Sequence, residues 1–179
     1  MPKASILDKY PNIVRGSAEI SLTAGTIGTL YKISTQYNPK DMLAMLVQRI
    51  VYTFDKTVLA MDAVLDMIEF GIMLFATQPY GGVVASTPGV LDYNVKTQQY
   101  GTSVGGFVTK NSVEKGFTDL QGGGLVCHPA SLYVFGNNKA TADFANAVIM
   151  RTEVYYTLIE ISPTDWQEMW QLGYINTTI

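Results

Sequence analysis

Thiol and imidazole side chains, which serve as nucleophiles, bases and metal ligands, are nearly absent from this chain of 179 residues. Cys127 and His128 are the single cysteine and the single histidine, and they are adjacent in the sequence. Neighbouring residues of a strand point to opposite faces of the sheet, so these two side chains cannot easily form a nucleophile–base pair. One Cys and one His also exclude a disulfide framework and a Cys/His zinc site. We therefore predict no catalytic residue, no metal centre and no cofactor.

Three carboxylates form the one acidic cluster in the sequence. Asp62, Asp66 and Glu69 are spaced by four and three residues, which places them on one face of a helix. In that arrangement they could gather around a calcium ion. The spacing is not that of an EF-hand, and three acids opposite an apolar stripe also suit a solvated helix face. We favour the solvated face and predict no metal ligand, and calcium binding is the alternative.

The elements that would position functional residues are mainly strands. Between Ala147 and Ile161 apolar and polar residues alternate with the period of a strand that has one buried face. The predicted buried face holds Val148, Met150, Thr152, Val154, Tyr156 and Leu158. The opposite face holds Arg151, Glu153, Tyr155 and Thr157. We expect this second face to be wet or to contact a partner.

Weaker alternation marks further strands. In the run from residue 44 to 54, one predicted face holds Ala44, Leu46, Ile50, Tyr52 and Phe54, with Gln48 as a polar exception. Other predicted strands cover residues 18–22, 31–36, 70–77, 91–97, 104–109 and 130–135. Turns rich in glycine, proline and asparagine separate them. About eight such strands predict a single all-β domain, either a sandwich or a barrel.

Two segments are predicted as helices. Residues 57–69 combine an apolar stripe with the acidic cluster on the opposite face. Residues 163–172 follow Ser162, a good N-cap, and start at Pro163, with Asp165 at the capping-box position. These capping signals indicate a short helix after the last strand.

The second predicted helix carries an apolar ridge. Trp166, Met169 and Trp170 recur at helical spacing, so that their side chains lie on one face. The ridge either packs on the chain's own sandwich or anchors a neighbouring subunit. We favour the subunit interface because Trp is enriched at interface hot spots and because a helix after the last strand lies at the edge of the sandwich.

Composition limits the function classes further. Lys and Arg number 12 against 15 Asp and Glu, so the net charge is −3, and the chain is not a globally basic nucleic-acid binder. Charged residues are 15% of the chain, against about 25% in typical domains. A surface this poor in charge is suited to contact with other chains. Three acids interrupt the most apolar window, residues 58–77, so we expect no transmembrane segment.

Longer stretches of the sequence resemble the single-jelly-roll coat proteins of small icosahedral viruses, notably environmental single-stranded DNA viruses and some tailless phages. The resemblance covers about residues 17–170. It lies in a strand that ends Gln48-Arg-Ile-Val-Tyr52, in Gly124-Leu-Val-Cys-His-Pro-Ala-Ser-Leu-Tyr-Val-Phe135, and in Ile149-Met-Arg-Thr-Glu-Val-Tyr-Tyr-Thr-Leu-Ile-Glu-Ile161. In such coat proteins the final strand commonly runs through an Arg and an aromatic pair, which makes Arg151 and Tyr155 further candidates for a subunit interface.

The resemblance implies a fold and a domain organisation. We expect an all-β, single eight-stranded jelly-roll sandwich with a short inserted helix and a short C-terminal helix. Residues 1–16 would be an N-terminal arm, 17–162 the jelly roll, and 163–179 the C-terminal helix and tail. The expected function is that of a structural capsid subunit, made in the host cytoplasm and located in the virion, which assembles with copies of itself into an icosahedral shell without catalysis.

One feature departs from the pattern of these coat proteins. Many carry a basic arm that binds the genome, whereas residues 1–16 here hold only three basic residues and one Asp. We therefore expect no strong direct nucleic-acid binding, and genome neutralisation would fall to another coat protein or a lining membrane. The arm could instead reach a neighbouring subunit.

Because jelly rolls also host lectins and fibre heads, the alternative function is that of a carbohydrate-binding module that uses loops 81–89 and 137–143.

Overall fold

The structure is a computed structural model, and it describes residues 11–20, 23, 25, 30–34, 42–55, 65–74, 90–99, 112–117, 123–127, 131–139, 143 and 148–168. The strands within these residues are β1 (Asn12–Ile20), β2 (Tyr31–Ser34), β3 (Leu43–Phe54), β4 (Leu65–Met73), β5 (Val90–Gln99), β6 (Ser112–Gly116), β7 (Leu125–Cys127), β8 (Ser131–Asn138) and β9 (Val148–Glu160). A short helix, α1, spans residues 163–168. No helix in this part of the chain is long and apolar enough to span a membrane.

The strands pair in a nested order. β1 pairs with β9, β2 with β8, β3 with β6 and β7, and β4 with β5, and every pair is antiparallel. The chain is therefore one long antiparallel hairpin with its two arms wound together. Further pairing of β3 with β9 and of β4 with β8 gives two sheets, β1-β9-β3-β6 and β2-β8-β4-β5. This is a jelly-roll sandwich, and it confirms the predicted fold class.

Two of the strands share one position in the first sheet. β6 pairs with residues 49–53 of β3, and β7 pairs with residues 45–47 along the same edge. The opposite edge of β3 is occupied by β9. With β6 and β7 counted as one interrupted strand, the described sandwich has the eight strand positions that the sequence predicts.

The core lies between the two sheets and consists of side chains from both. Phe70 of β4 lies edge-on against two rings of β3, with centroids 5.0 Å from Tyr52 and 5.1 Å from Phe54. All three side chains are buried. Edge-to-face contact is a favourable geometry for aromatic rings, so this cluster fixes the second sheet against the first.

A bulge in β3 changes which of its residues face the core. The pairing register with β9 shifts at Gln48, so one extra residue reverses the alternation on the two sides of that point. Residues 50, 52 and 54 belong to the main core, as predicted. Ala44 and Leu46 instead form a separate buried cluster with Ile159. The prediction that Ala44 and Leu46 share a face with the later residues is wrong, and the polar Gln48 marks the reason.

The inserted helix predicted over residues 57–69 is wrong in the part that the structure describes. Residues 65–69 belong to β4, whereas residues 57–64 lie outside the described residues. Ile68, Phe70 and Ile72 alternate along β4 and are fully buried. Because β4 is hydrogen-bonded to β5 on one side and to β8 on the other, tertiary pairing overrides the helical spacing of its apolar residues.

The predicted C-terminal helix is confirmed over residues 163–168, and residues 169–172 lie outside the described residues. The capping signal acts as expected, since Ser162 Oγ accepts a hydrogen bond of 3.1 Å from the Asp165 backbone N–H. The Ser162 hydroxyl also donates to Asp165 Oδ2 at 2.7 Å.

The strand predicted over residues 104–109 lies outside the described residues.

The expected boundary between an N-terminal arm and the jelly roll at residue 16 falls inside a strand. β1 begins at Asn12 and pairs with β9 in unbroken register as far as Ile20. Residues 12–16 are therefore part of the sandwich. An arm that can be removed without cutting into β1 ends before Asn12, and its reach to a neighbouring subunit stays a prediction.

Candidate assembly surface

The first sheet turns one face to the core and the other outwards. Residues that are directly opposite each other in the register lie on the same face, so the pairing defines the outward set. This outer face consists of Ile13, Arg15, Ser17 and Glu19 of β1, Ile149, Arg151, Glu153 and Tyr155 of β9, Arg49, Val51 and Thr53 of β3, and Ser112 and Glu114 of β6. The face is polar, with three arginines and three glutamates among its members.

Five of these side chains form one continuous network across four strands. Arg15 Nε donates to Glu153 Oε1 at 2.7 Å, and the hydroxyl of Tyr155 donates to Glu153 Oε2 at 2.9 Å. The guanidinium of Arg49 lies 3.9 Å above the centre of the Tyr155 ring. On its other side, Arg49 Nη1 donates to Glu114 Oε1 at 3.2 Å. These contacts connect side chains of four strands in one row along the face.

The electrostatics of the network favour charged forms. The pKa of Glu153 is lowered, first by the hydrogen bond from Arg15 and then by the one from Tyr155. The hydrogen bond between Arg15 and Glu153 also raises the pKa of Arg15 above its ordinary value. Exposed ion pairs of this kind add little to folding stability because water and salt screen them. Their consequence is a surface with a defined pattern of charge.

Arg151 stands apart from the network. It is exposed, and none of the described carboxylates forms an ion pair with it. It borders a shallow depression of about 340 Å³, lined by Arg15, Gly16, Ser17, Arg151, Thr152 and Glu153. The depression thus combines an exposed guanidinium with hydroxyl and carboxylate groups at its rim.

Two exposed apolar side chains flank this polar surface. Ile13 is 43% exposed and Ile149 is 38% exposed, one on each of the paired strands β1 and β9. Single exposed apolar residues are common, and these two do not make a continuous patch. They add apolar contact area at two ends of a surface whose centre is charged.

A second polar cluster lies between the sheets around the buried Asp92 and Tyr52, with Lys115 reaching it from the exposed sheet edge. Asp92 of β5 accepts hydrogen bonds at Oδ2 from the hydroxyl of Tyr52, at 2.8 Å, and from Asn94 Nδ2, at 2.6 Å. Lys115 Nζ lies 3.1 Å from Asp92 Oδ1 as an ion pair without hydrogen-bond geometry. Because Tyr52 and Lys115 belong to the first sheet and Asp92 to the second, the cluster joins the two sheets near their β5 and β6 edges.

The buried Tyr52 hydroxyl is held in its protonated form. Burial raises the pKa of Tyr52 well above its ordinary value, and the neighbouring Asp92 carboxylate raises it further. A phenol in this position stays protonated and acts as a hydrogen-bond donor.

The residues that the sequence singled out as interface candidates divide into three groups. Arg151 and Tyr155 lie on the outer face of the first sheet, 4 residues apart on β9, and only Tyr155 belongs to the network. Trp166 lies in α1 and is half-buried. Met169 and Trp170 lie outside the described residues, so the ridge assignment stays a prediction. The structure does not bring Trp166 into the network.

The residues weighed for chemistry do not form a site within the described residues. Cys127 ends β7 and is buried, which raises its pKa to about 12, so the thiol is not poised as a nucleophile. His128 and Asp62 lie outside the described residues. Residues 66 and 69 belong to β4, so the helical argument for a shared calcium site does not apply to them. No cluster of three or more potential metal ligands occurs in the described part of the chain.

Sequence reasoning missed several residues that the structure connects. The alternation places Glu153 on the correct face, but its partner Arg15 is 138 residues away in the sequence. Arg49, which joins the network through the Tyr155 ring, also comes from a distant strand. The alternation in β1 and the bulge in β3 could have indicated which way these arginines point. Asp92 was missed entirely, because its partner Tyr52 is 40 residues away in the other sheet.

Comparison with known proteins gives a structural likeness alone. No protein-family profile and no curated protein sequence matches the chain. Among solved structures, it is similar to VP1 of Washington University polyomavirus, from the structure of an unassembled pentamer of a point mutant. The identity is 12%, the TM-score is 0.47, and the match covers 87% of this chain and 98% of the other. A likeness at this level adds nothing to the strand order, on which the jelly-roll assignment rests.

Proposed function

We propose that this chain is a structural capsid subunit that assembles with copies of itself into a closed icosahedral shell and performs no catalysis. The observation that carries the proposal is the outer face of a jelly-roll sheet on which charged and aromatic side chains are held in one network beside the exposed Arg151. Symmetric assemblies need extended complementary surfaces of this kind and not a pocket of perturbed titratable groups.

The balance of charge on the outer face supports a protein partner over a nucleic acid. Its arginines are matched by carboxylates, two of them directly paired, as in Arg15–Glu153 and Arg49–Glu114. Nucleic-acid binding draws on uncompensated Lys and Arg that neutralise phosphates. This face therefore suits copies of the chain, and genome neutralisation is assigned to another coat protein or a lining membrane. The place of action would be the virion.

The carbohydrate-binding alternative finds less support in the loops that suggested it. Asn137 and Asn138 are fully buried at the end of β8, so their amides do not face a sugar in solvent. Residues 81–89 lie outside the described residues. Lectin-like recognition would need polar groups that are exposed beside an aromatic surface.

Electron microscopy of the purified chain tests the proposal. A capsid subunit gives closed particles of uniform diameter under assembly conditions. A discrete small oligomer that binds to a glycan array, with no particles at any salt concentration, would contradict it and favour the carbohydrate-binding alternative.

A further inference from the structure

The two sheets end in edge strands that differ in how they are protected. Natural proteins guard free edges with short strands, inward-pointing charges or bulges. Within the described residues, β2 and β6 are short, with 4 and 5 residues. β5 carries the inward-facing Asp92 and Lys96, both buried, and a register shift interrupts its pairing with β4. Three of the four edges of the described sheets are therefore blunted.

β1 has none of these protections. It is 9 residues long, contains no proline and pairs with β9 in unbroken register from Asn12 to Ile20. Its inward residues are uncharged, namely Val14, Gly16, Ala18 and Ile20. No other described strand pairs with its outer edge. Among the described strands, β1 is thus the sheet edge that can accept another strand.

The direction of the free backbone groups in β1 follows from the hydrogen bonds at the end of β9. Asp55 N–H donates to the carbonyl of Ile149, and Ile149 N–H donates to Asp55 Oδ1, so the backbone of Ile149 faces the β3 side. Backbone direction alternates along a strand, so the even-numbered residues of β9 face β1. Their partners in β1 are also even-numbered. The free N–H and C=O groups of β1 therefore belong to Ile13, Arg15, Ser17 and Glu19.

We infer that two copies of this chain pair through their β1 edges, antiparallel, about a two-fold axis at Ser17. In this register Ser17 lies opposite its own copy, and Arg15 of each copy lies opposite Glu19 of the other, which gives two symmetric ion pairs. A register centred on Arg15 would set two guanidinium groups against each other. Charge complementarity therefore selects the register centred on Ser17.

The pairing joins the first sheets of two molecules into one continuous sheet. It goes beyond the proposed function, because it concerns a contact of two copies that forms with or without a closed shell. All four side chains beside the free backbone groups are exposed, so a second strand meets no steric barrier from them. The main-chain hydrogen bonds would supply affinity, and the charged residues would supply the register.

Cysteine cross-linking of the full-length chain tests the register. In a directly opposed antiparallel pair the Cα atoms are about 5.5 Å apart, within the range that a disulfide bridges. A Ser17→Cys variant should give disulfide-linked dimers on mild oxidation. The matched Glu19→Cys variant should not, because it lies opposite Arg15, whereas a mixture of Arg15→Cys and Glu19→Cys chains should cross-link. Buried Cys127 gives little background, which the unsubstituted chain measures.

A proline at the same position tests the hydrogen bonds. Proline removes the N–H and is tolerated where that group faces solvent, so Ser17→Pro spares the β1–β9 ladder. Analytical ultracentrifugation should show dimer affinity weakened about tenfold or more, which corresponds to about 1.4 kcal/mol per factor of ten. The matched control, Ser17→Ala, keeps the N–H and should dimerise as the unsubstituted chain does.

Three outcomes would overturn the inference. The first is Ser17→Pro dimerising normally. The second is Ser17→Cys giving no more cross-linked dimer than Glu19→Cys. The third is Ser17→Pro lowering the melting temperature of the monomer with no change in self-association, which would show that the edge is covered within one chain. If particles form without β1 pairing, the inference about β1 is wrong and the capsid proposal is unaffected. If dimers pair through β1 but no particles form, the capsid proposal is wrong and the inference about β1 is unaffected.

Discussion

The molecule contains two polar networks that are built from similar residues but lie in opposite environments. Asp92, Tyr52, Asn94 and Lys115 meet between the sheets, where Asp92 is 3% exposed. The network that runs from Arg15 to Glu114 lies on the outer face of one sheet. Both use a carboxylate that accepts a hydrogen bond from a tyrosine hydroxyl, so burial is the main difference between them.

This difference separates stability from recognition. Removing a partner from a buried network leaves a polar group without water to replace it, which costs free energy of unfolding. In the exposed network, water replaces a lost partner at little cost. The buried cluster should therefore decide whether the sandwich holds together, and the outer network should decide what the sandwich binds.

The largest effect is expected at the centre of the buried cluster. Asp92→Ala should lower the free energy of unfolding by about 2–3 kcal/mol, because the buried Tyr52 hydroxyl loses its acceptor, whereas the partly exposed Lys115 ammonium is solvated by water. Urea denaturation followed by fluorescence measures this. A loss of less than about 0.5 kcal/mol, the range of an ordinary surface change, would show that the cluster does not hold the sheets together.

A matched pair of smaller substitutions compares the two networks directly. Tyr52→Phe and Tyr155→Phe each delete one hydroxyl that donates to a carboxylate. Tyr52→Phe should cost about 1–2 kcal/mol because the buried Asp92 loses a donor, whereas Tyr155→Phe should stay within about 0.5 kcal/mol. Thermal melts of both variants measure the difference. Equal shifts in the two melts would remove the distinction between the networks.

The smallest effect is expected for Glu153, in the way that the free energy of unfolding falls at acidic pH (the acid limb of the curve of stability against pH). The folded-state pKa of Glu153 is below its ordinary value of 4.5, so its ionised form favours the folded state. That contribution is present above the ordinary value and is lost as the pH falls through the lower folded-state pKa. Glu153→Gln should therefore lower stability slightly at pH 7 and by less below about pH 4.5, so that its loss of stability in acid is a little flatter. An unchanged acid limb would show that the Arg15–Glu153 pair does not persist in solution.

Sequence alone predicted the parts of the fold that depend on local alternation. The buried face of β9 from Val148 to Val154 is confirmed residue by residue. Prediction failed where one residue changes the period, as at Gln48, and where a helical and a strand pattern overlap, as in residues 65–69. It also missed β6 and β7, which are short and hold their place by pairing with β3. These features depend on partners distant in the sequence.

The candidate site was predictable in the same limited sense. The alternation of residues along the last strand is enough to place Arg151, Glu153 and Tyr155 together on one face. The partners of that face could not be predicted, because Arg15 and Arg49 reach it only through sheet pairing. The inter-sheet role of Asp92 required the sandwich itself, since no local pattern distinguishes it from other acids in the chain.

The most direct test of the account is a charge reversal on the outer face. Arg151→Glu should prevent or strongly reduce particle formation seen by electron microscopy while leaving the melting temperature of the unassembled chain within about 2 °C, as for a surface change that touches no core contact. The control is Lys32→Glu, the same charge change at an exposed position of β2 on the other sheet, which should assemble normally. Normal particles from Arg151→Glu would contradict the claim that this face is where copies of the chain meet.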